Sequence, residues 1–217
     1  NAFLGGISVN YGVNYWKSEN PCAVIEADEY DRSFLKLQPS IAVVTAMDAD
    51  HLDIYGTVEE MERCYLQFIT QIRDTLVFKH GLTHSPLFDA PNKVSYSVQN
   101  DAADFYASDI VMKQGSYTFN FNYRGEVLGR FVLNIGGMHN VENTIAALAV
   151  THQLKLDIEK VKLAVAAFSG VKRRFEYVVK TDAHVYIDDY AHHPEELRML
   201  ITSARALFKG RKVSVIF

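Results

Sequence analysis

Two short stretches, Ile25-Glu26-Ala27-Asp28-Glu29-Tyr30-Asp31 and Asp48-Ala49-Asp50-His51-Leu52-Asp53, gather carboxylates and one imidazole directly after the apolar runs 22–25 and 41–44. Four-residue apolar runs bounded by polar residues or Pro suit parallel strands buried on both faces. The carboxyl ends of such strands are where an α/β protein builds a site for a metal and a phosphorylated ligand. Glu26 and His51 are the candidate metal ligands. A hard ion such as Mg²⁺ takes oxygen donors, and an imidazole can ligate a metal or position a phosphate oxygen. Acid-rich strand ends also occur as solvated loops or helix caps. Asp28, Glu29, Asp31, Asp50 and Asp53 are expected to divide among caps, contacts behind the ligands and solvent.

Three further groups carry chemistry. His139-Asn140 and Asn143 stand at the start of a predicted helix, where an amide offers a donor and an acceptor to a heterocycle edge. Ordinary capping explains them equally well. In Lys172-Arg173-Arg174 the arginines suit bidentate contact with a transferred phosphate, against the plainer reading of a solvated charge run. In Asp188-Asp189-Tyr190-Ala191-His192-His193-Pro194 one imidazole would recognise substrate while the other is structural, or either caps the next helix. The chain contains no G-x-x-x-x-G-K-[ST], the sequence that cradles ATP phosphates in P-loop enzymes, and Gly5-Gly6 is too sparse to replace it.

The elements that must position these groups follow from periodicity. From Thr57 to Leu76, Met61, Cys64, Tyr65, Phe68, Ile69 and Ile72 recur at helical spacing, with Thr57 as N-cap and Glu60 three residues on. Leu76-Val77-Phe78 predicts another buried strand, completing a βαβ unit. Tyr117-Thr118-Phe119-Asn120-Phe121-Asn122-Tyr123 alternates, and Arg124-Gly125 invites a turn, so 94–135 is read as an antiparallel patch. Gly136-Gly137 breaks that strand before an alanine-rich helix. A second helix is expected over 156–168, with Val161, Leu163, Ala164, Ala167 and Phe168 available for packing. Val185-Tyr186-Ile187 opens a new α/β unit, a helix follows Pro194, and 211–217 is expected as a strand. The domain boundary is placed near Tyr177, giving parts 1–176 and 177–217.

The chain has 217 residues, enough for one large core or two modest ones without disulfides. Cys22 and Cys64 belong to no C-x-x-C spacing, and a cytoplasmic setting is the plain reading. The net charge of -4, with acids and bases interspersed, builds no broad positive field for nucleic acid. No stretch approaches the roughly 20 apolar residues that cross a bilayer, and no export signal opens the chain. The first residue is not Met, and the 41 residues after 176 would make a marginal core alone, so a longer parent chain is expected.

Taken in order, Glu26-Ala27-Asp28-Glu29-Tyr30-Asp31, Asp50-His51-Leu52-Asp53, Gly137-Met138-His139-Asn140-Val141-Glu142-Asn143, Gly170-Val171-Lys172-Arg173-Arg174-Phe175 and Asp188-Asp189-Tyr190-Ala191-His192-His193-Pro194 resemble the Mur ligase family. The resemblance implies an α/β fold in which a central ATPase domain, here without its P-loop, is followed by the beginning of a Rossmann-like C-terminal domain. It implies ATP and Mg²⁺ as cofactors, and UDP-N-acetylmuramate and L-alanine as substrates in peptidoglycan precursor synthesis. Neither nucleic acid nor membrane is a partner in that reading, and the oligomeric state stays open. The γ-phosphoryl group of ATP would pass to the muramoyl carboxylate, and the amino-acid nitrogen would attack the acyl phosphate.

By the same resemblance, Glu26 would ligate Mg²⁺, and His51 a second Mg²⁺ or its adjacent shell. Asn140 and Asn143 would contact adenine, with His139 fixing that corner. Arg174 would approach the transferred phosphate, Asp189 the ribose, and His192 or His193 the amino-acid or muramoyl end. Ligation of a murein tripeptide in cell-wall recycling is the alternative within the family. An inactive structural or nucleotide-binding fragment is the alternative outside enzymes, and the isolated chain is expected to be inactive.

Overall fold

The computed structural model describes residues 1–48, 51–113, 115–192 and 194–216. In chain order its elements are β1 (Ala2–Phe3), β2 (Tyr15–Trp16), β3 (Val24–Ile25), β4 (Ile41–Val44), α1 (Leu52–Tyr55), α2 (Val58–Thr70), β5 (Thr75–Lys79), β6 (Asn92–Ser97), β7 (Phe105–Lys113), β8 (Ser116–Tyr123), β9 (Glu126–Leu133), α3 (Met138–Gln153), α4 (Ile158–Ala167), β10 (Glu176–Lys180), β11 (Val185–Asp188) and α5 (Pro194–Leu207). Two short 3-10 turns, Ser33–Lys36 and Ser85–Leu87, punctuate the loops.

Six strands form one mixed sheet in the order β4-β5-β6-β7-β8-β9. The pairs from β4 to β7 are parallel, and those from β7 to β9 antiparallel. The predicted antiparallel patch therefore begins at β7, whereas Val94 belongs to β6 on the parallel side. In β8 the alternation buries Tyr117, Phe119 and Phe121 on one face. Arg124 and Gly125 both have positive φ, 47° and 89°, and close the β8–β9 hairpin with Tyr123 opposite Glu126. Two residues in left-handed conformation match the strand twist in such a turn, which is why glycine stands there.

The α2 helix starts as its sequence predicts. Thr57 Oγ1 accepts the N–H of Glu60 at 3.2 Å, and Met61, Cys64, Phe68 and Ile69 point into a core shared with Phe34, Tyr55, Leu76 and Phe88. A second core lies where α3 packs on β5 to β8. There Val141, Ile145, Leu148 and Ala149 form one helical face against Phe105, Phe119, Phe121 and Phe131. The Phe105 and Phe121 rings stack at 5.5 Å, and Phe131 meets Phe121 edge to face at 5.9 Å. Each such ring adds dispersion to a large buried apolar area.

Three expectations fail for packing reasons. Only Val24–Ile25 of the run 22–25 is a strand; it pairs parallel with β1 in a separate three-stranded sheet, and Val24 and Ile25 remain 59% and 50% exposed. Among the described residues no layer covers these side chains, so the run is apolar without being buried. In α4 only Val161 is buried, while Leu163 is 72% exposed and Ala164, Ala167 and Phe168 face outward as well. The helix lies along β9 and offers it a single narrow stripe. Residues 211–216 form no strand, because an extended segment becomes one only when hydrogen-bonded to a neighbour, and they pair with none of the described residues. Val185-Tyr186-Ile187 does become β11, paired antiparallel with β10, and α5 follows. Tyr177 lies inside β10 and packs, with Ile187 and Leu200, against the α3 core.

Candidate functional site

Glu26 follows β3 directly. Its Oε2 accepts the N–H of Gly5 at 2.8 Å, which orients an exposed carboxylate. His51 is the N-terminal flanking residue of α1 in left-handed conformation, φ 51°. Its Nε2 stands 3.7 Å from Glu29 Oε1, and its ring meets Tyr30 edge to face at 5.1 Å. Two of the remaining acids cap turns. Asp28 Oδ1 accepts the N–H of Tyr30 and Asp31 Oδ1 that of Ser33, each at 2.9 Å. Hydrogen bonding from Ser33 holds the Asp31 carboxyl below its ordinary range. Asp50 lies outside the described residues. Among the described residues no three His, Cys, Asp or Glu side chains converge as a metal cluster.

A second group forms around the α3 N-terminus. Gly137 takes φ 89° and ψ 126°, and a Cβ there would overlap the His139 ring. Only glycine permits the β9–α3 junction to fold this tightly over the imidazole. Burial lowers the His139 pKa, opposed by the Asp189 carboxylate, reinforced by the Arg174 guanidinium and opposed again by Glu142. Those four side chains therefore share one electrostatic neighbourhood, although they come from α3 and from segments 35 and 50 residues beyond His139. Asn140 Nδ2 donates to Gly136 O at 2.6 Å. Asn143 is exposed and its side chain makes no hydrogen bond among the described residues.

Arg174 is exposed, and no carboxylate of the described residues lies within ion-pair distance of it. Asp189 follows β11: Oδ2 accepts the N–H of Phe175 at 2.7 Å and Oδ1 that of Ala191 at 2.8 Å. Tyr190 N–H donates to Arg173 O at 2.8 Å, and the Arg173 guanidinium lies 5.1 Å from the Tyr190 ring centroid. His192 is exposed, with Nδ1 2.9 Å from Tyr190 O, so Nδ1 carries the proton in that contact. His193 lies outside the described residues.

The two groups are linked by one strip of chain. Ile7 O accepts the N–H of Lys172, Val9 N–H donates to Gly170 O, and Ser8 bridges Val171. The structure thus brings His139, Asn140, Arg174 and Asp189 together, while the contacts of Glu26 are with Gly5 and those of His51 with Glu29 and Tyr30. Sequence reasoning missed Lys79 and Glu142, which pair at 3.0 Å between the end of β5 and α3. The signal was present: Glu142 lies one helical turn from His139, and Lys79 directly follows the predicted strand Leu76-Val77-Phe78. It also missed Tyr96, whose buried hydroxyl has no partner among the described residues and whose pKa is raised by burial and then by Glu142.

Comparison with known proteins gives the arrangement its context. Residues 13–151 match the Mur ligase middle domain, and residues 173–217 match the Mur ligase glutamate ligase domain. Over its whole length the chain is 41% identical to UDP-N-acetylmuramate--L-alanine ligase of Porphyromonas gingivalis, covering 48% of that protein. The crystal structure of UDP-N-acetylmuramate-alanine ligase MurC from Thermotoga maritima superposes with a TM-score of 0.82 at 26% identity, covering 96% of this chain and 48% of that one. The MurF ligase of Thermotoga maritima in complex with ADP shares the fold, with a TM-score of 0.68 at 18% identity over 94% of this chain and 50% of that one. The chain spans about half the length of these relatives. With the middle-domain match covering more than half of the chain, and the motifs around His139, Arg174 and Asp189 falling where the fold gathers them, the chain belongs to the Mur ligase family.

Proposed function

We propose that this chain is part of an ATP-dependent ligase that joins L-alanine to UDP-N-acetylmuramate through an acyl phosphate, in peptidoglycan precursor synthesis. The observation that carries the reading is the end-to-end identity with a ligase of that name. The proposal includes a division into a central ATPase part, 1–176, and a C-terminal part, 177–217, in keeping with two separate domain matches. A cytoplasmic setting agrees with two free thiols, and no helix of the described residues is long and apolar enough to cross a membrane.

Within this reading Asn140 and Asn143 face adenine. Asn140 has one amide hydrogen committed to Gly136 O, so its carbonyl oxygen is the group left to accept from the base. Asp189 retains lone pairs for a ribose hydroxyl beyond the two backbone donors that fix it. Arg174 holds the transferred phosphoryl oxygens, His139 sets the corner, and His192 or His193 borders the amino-acid or muramoyl end. The chemistry also asks for Mg²⁺, which neutralises charge developing on phosphoryl oxygens. Glu26 fits such an ion, since Gly5 orients one oxygen and leaves the other to coordinate, and Mg²⁺ takes few protein ligands beside phosphate and water. His51, paired with Glu29, is the second candidate.

The test is L-alanine-dependent phosphate release from ATP and UDP-N-acetylmuramate, with the chain completed by the P-loop and C-terminal regions of a relative. Stimulation by L-alanine is expected. Stimulation only by a meso-diaminopimelate-containing tripeptide would move the assignment to the recycling reaction, and release with neither acceptor would overturn ligase activity.

A further inference from the structure

A cleft of about 710 Å³ lies away from the residues discussed above, between the β7–β8 hairpin and the C-terminal segment. Its walls carry Lys113 from the end of β7, Lys180 from the end of β10 and Arg211 beyond α5. Ser116, Thr118 and Thr181 add hydroxyls, and Val111, Val185 and Phe208 an apolar wall. Among the described residues Asp182 is the one carboxylate of the lining, and no ion pair joins it or any other described acid to the three cations.

Two of the cations, Lys180 and Arg211, are nevertheless held in place. Lys180 Nζ lies 4.4 Å from the Tyr177 ring centroid, and the Tyr177 hydroxyl donates to Gly115 O at 3.2 Å, docking β10 on the hairpin. Much of the Lys180 side chain is exposed, yet its amine is covered enough that burial lowers its pKa. Arg211 donates to Ala183 O and lies 5.8 Å from the Phe208 ring centroid. In a chain of net charge -4, three cations lining one cleft without acid partners among the described residues, beside three hydroxyls, make an electrostatic cost that a multivalent anion would relieve. The volume lies within the range of roughly 300–1,000 Å³ typical of small-molecule sites.

We propose that this cleft binds the oligophosphate moiety of a small molecule, gripped by Lys113, Lys180 and Arg211, at a site separate from the one around His139 and Arg174. An occupant would bridge the hairpin to the C-terminal segment and tie the two together.

The probe is inorganic tripolyphosphate, titrated calorimetrically into the 217-residue chain. Saturable binding is expected, weakened at least tenfold by the combined change Lys113→Gln, Lys180→Gln and Arg211→Gln and less than twofold by Arg174→Gln. Lys113→Gln alone, an exposed change at the hairpin that leaves the core untouched, is expected to weaken binding about threefold, a factor of about 0.6 kcal/mol. It keeps the test decisive if the triple variant folds poorly. Absence of saturable binding, unchanged affinity in Lys113→Gln, or a larger loss in Arg174→Gln than in the triple variant would overturn the proposal.

Discussion

The Asp189 carboxylate accepts the backbone N–H of Phe175 at 2.7 Å, so the loop after β11 is fastened to the segment that enters β10. The attachment point is unusual. Phe175 is buried and holds φ 52°, with Arg173 at φ 59° two residues before it. Bulky residues rarely adopt this left-handed region, and each such residue costs on the order of 1–3 kcal/mol that the surroundings must offset. The phenyl ring in the α3 core and the Asp189 carboxylate supply that offset.

Asp189→Asn keeps the size of the side chain but turns an amide NH₂ toward one of two backbone donors. The expected loss of stability is about 1–2 kcal/mol, within the cost of leaving a partly buried N–H unsatisfied. Urea unfolding without nucleotide checks this. Unchanged stability would mean that Asp189 serves ligand alone.

Asn140 and Asn143 are predicted to separate. Asn140→Ala removes the bond to Gly136 O and is expected to cost about 1 kcal/mol of stability in addition to nucleotide affinity. Asn143→Ala, at an exposed position, should change stability by less than about 0.5 kcal/mol and still weaken ADP binding. Paired unfolding and ADP titrations distinguish the two.

His139 gives the fold a pH dependence of known sign. Burial sets its folded pKa below the ordinary 6.5, so near that pH the unfolded chain binds more protons than the folded one. Stability therefore falls as pH drops through 6.5 and levels off below the folded value. His139→Gln should flatten the decline between about pH 7 and 5, read from urea midpoints. The carboxyls of Asp31, Glu60 and Asp104 are all held low, so they lose their contribution only in more acidic solution.

Tyr96→Phe is expected to stabilise. The hydroxyl is fully buried with no partner among the described residues, so its removal recovers a desolvation cost of about 1 kcal/mol. A lower unfolding midpoint in this variant would show that the hydroxyl has a partner in solution.

Gly136→Ala is predicted to do the reverse, by more than about 2 kcal/mol, since a Cβ would overlap the buried Phe175 ring and the Tyr177 hydroxyl. Thermal unfolding of Gly136→Ala beside the unsubstituted protein measures the difference.

The periodic elements were legible because their signals are local. Thr57 with Glu60, the alternation around Phe119 and the glycines before α3 each carry their own physical instruction. Exposure was less legible. Val24 and Leu163 are apolar, yet whether another layer covers them depends on chain far away in sequence. Within the site, the motifs marked His139, Arg174 and Asp189, and the fold gathers them. What a motif does not show is a side chain's existing commitments, such as both Asp189 oxygens bound to backbone, or pairings such as Lys79 with Glu142 across 63 residues.

In the six-stranded sheet every strand lies beside the one that precedes it in the chain. No strand must wait for a later segment to slip between two already paired, so each closure spans only the connection just made, and the entropy of closing a loop grows slowly with its length. During synthesis from the amino end, each of β5 to β9 would add to the strand made just before it, one edge at a time. The aromatic face of β8 and β9 meets α3 within the next few residues made, which limits how long that sticky surface is open to other nascent chains.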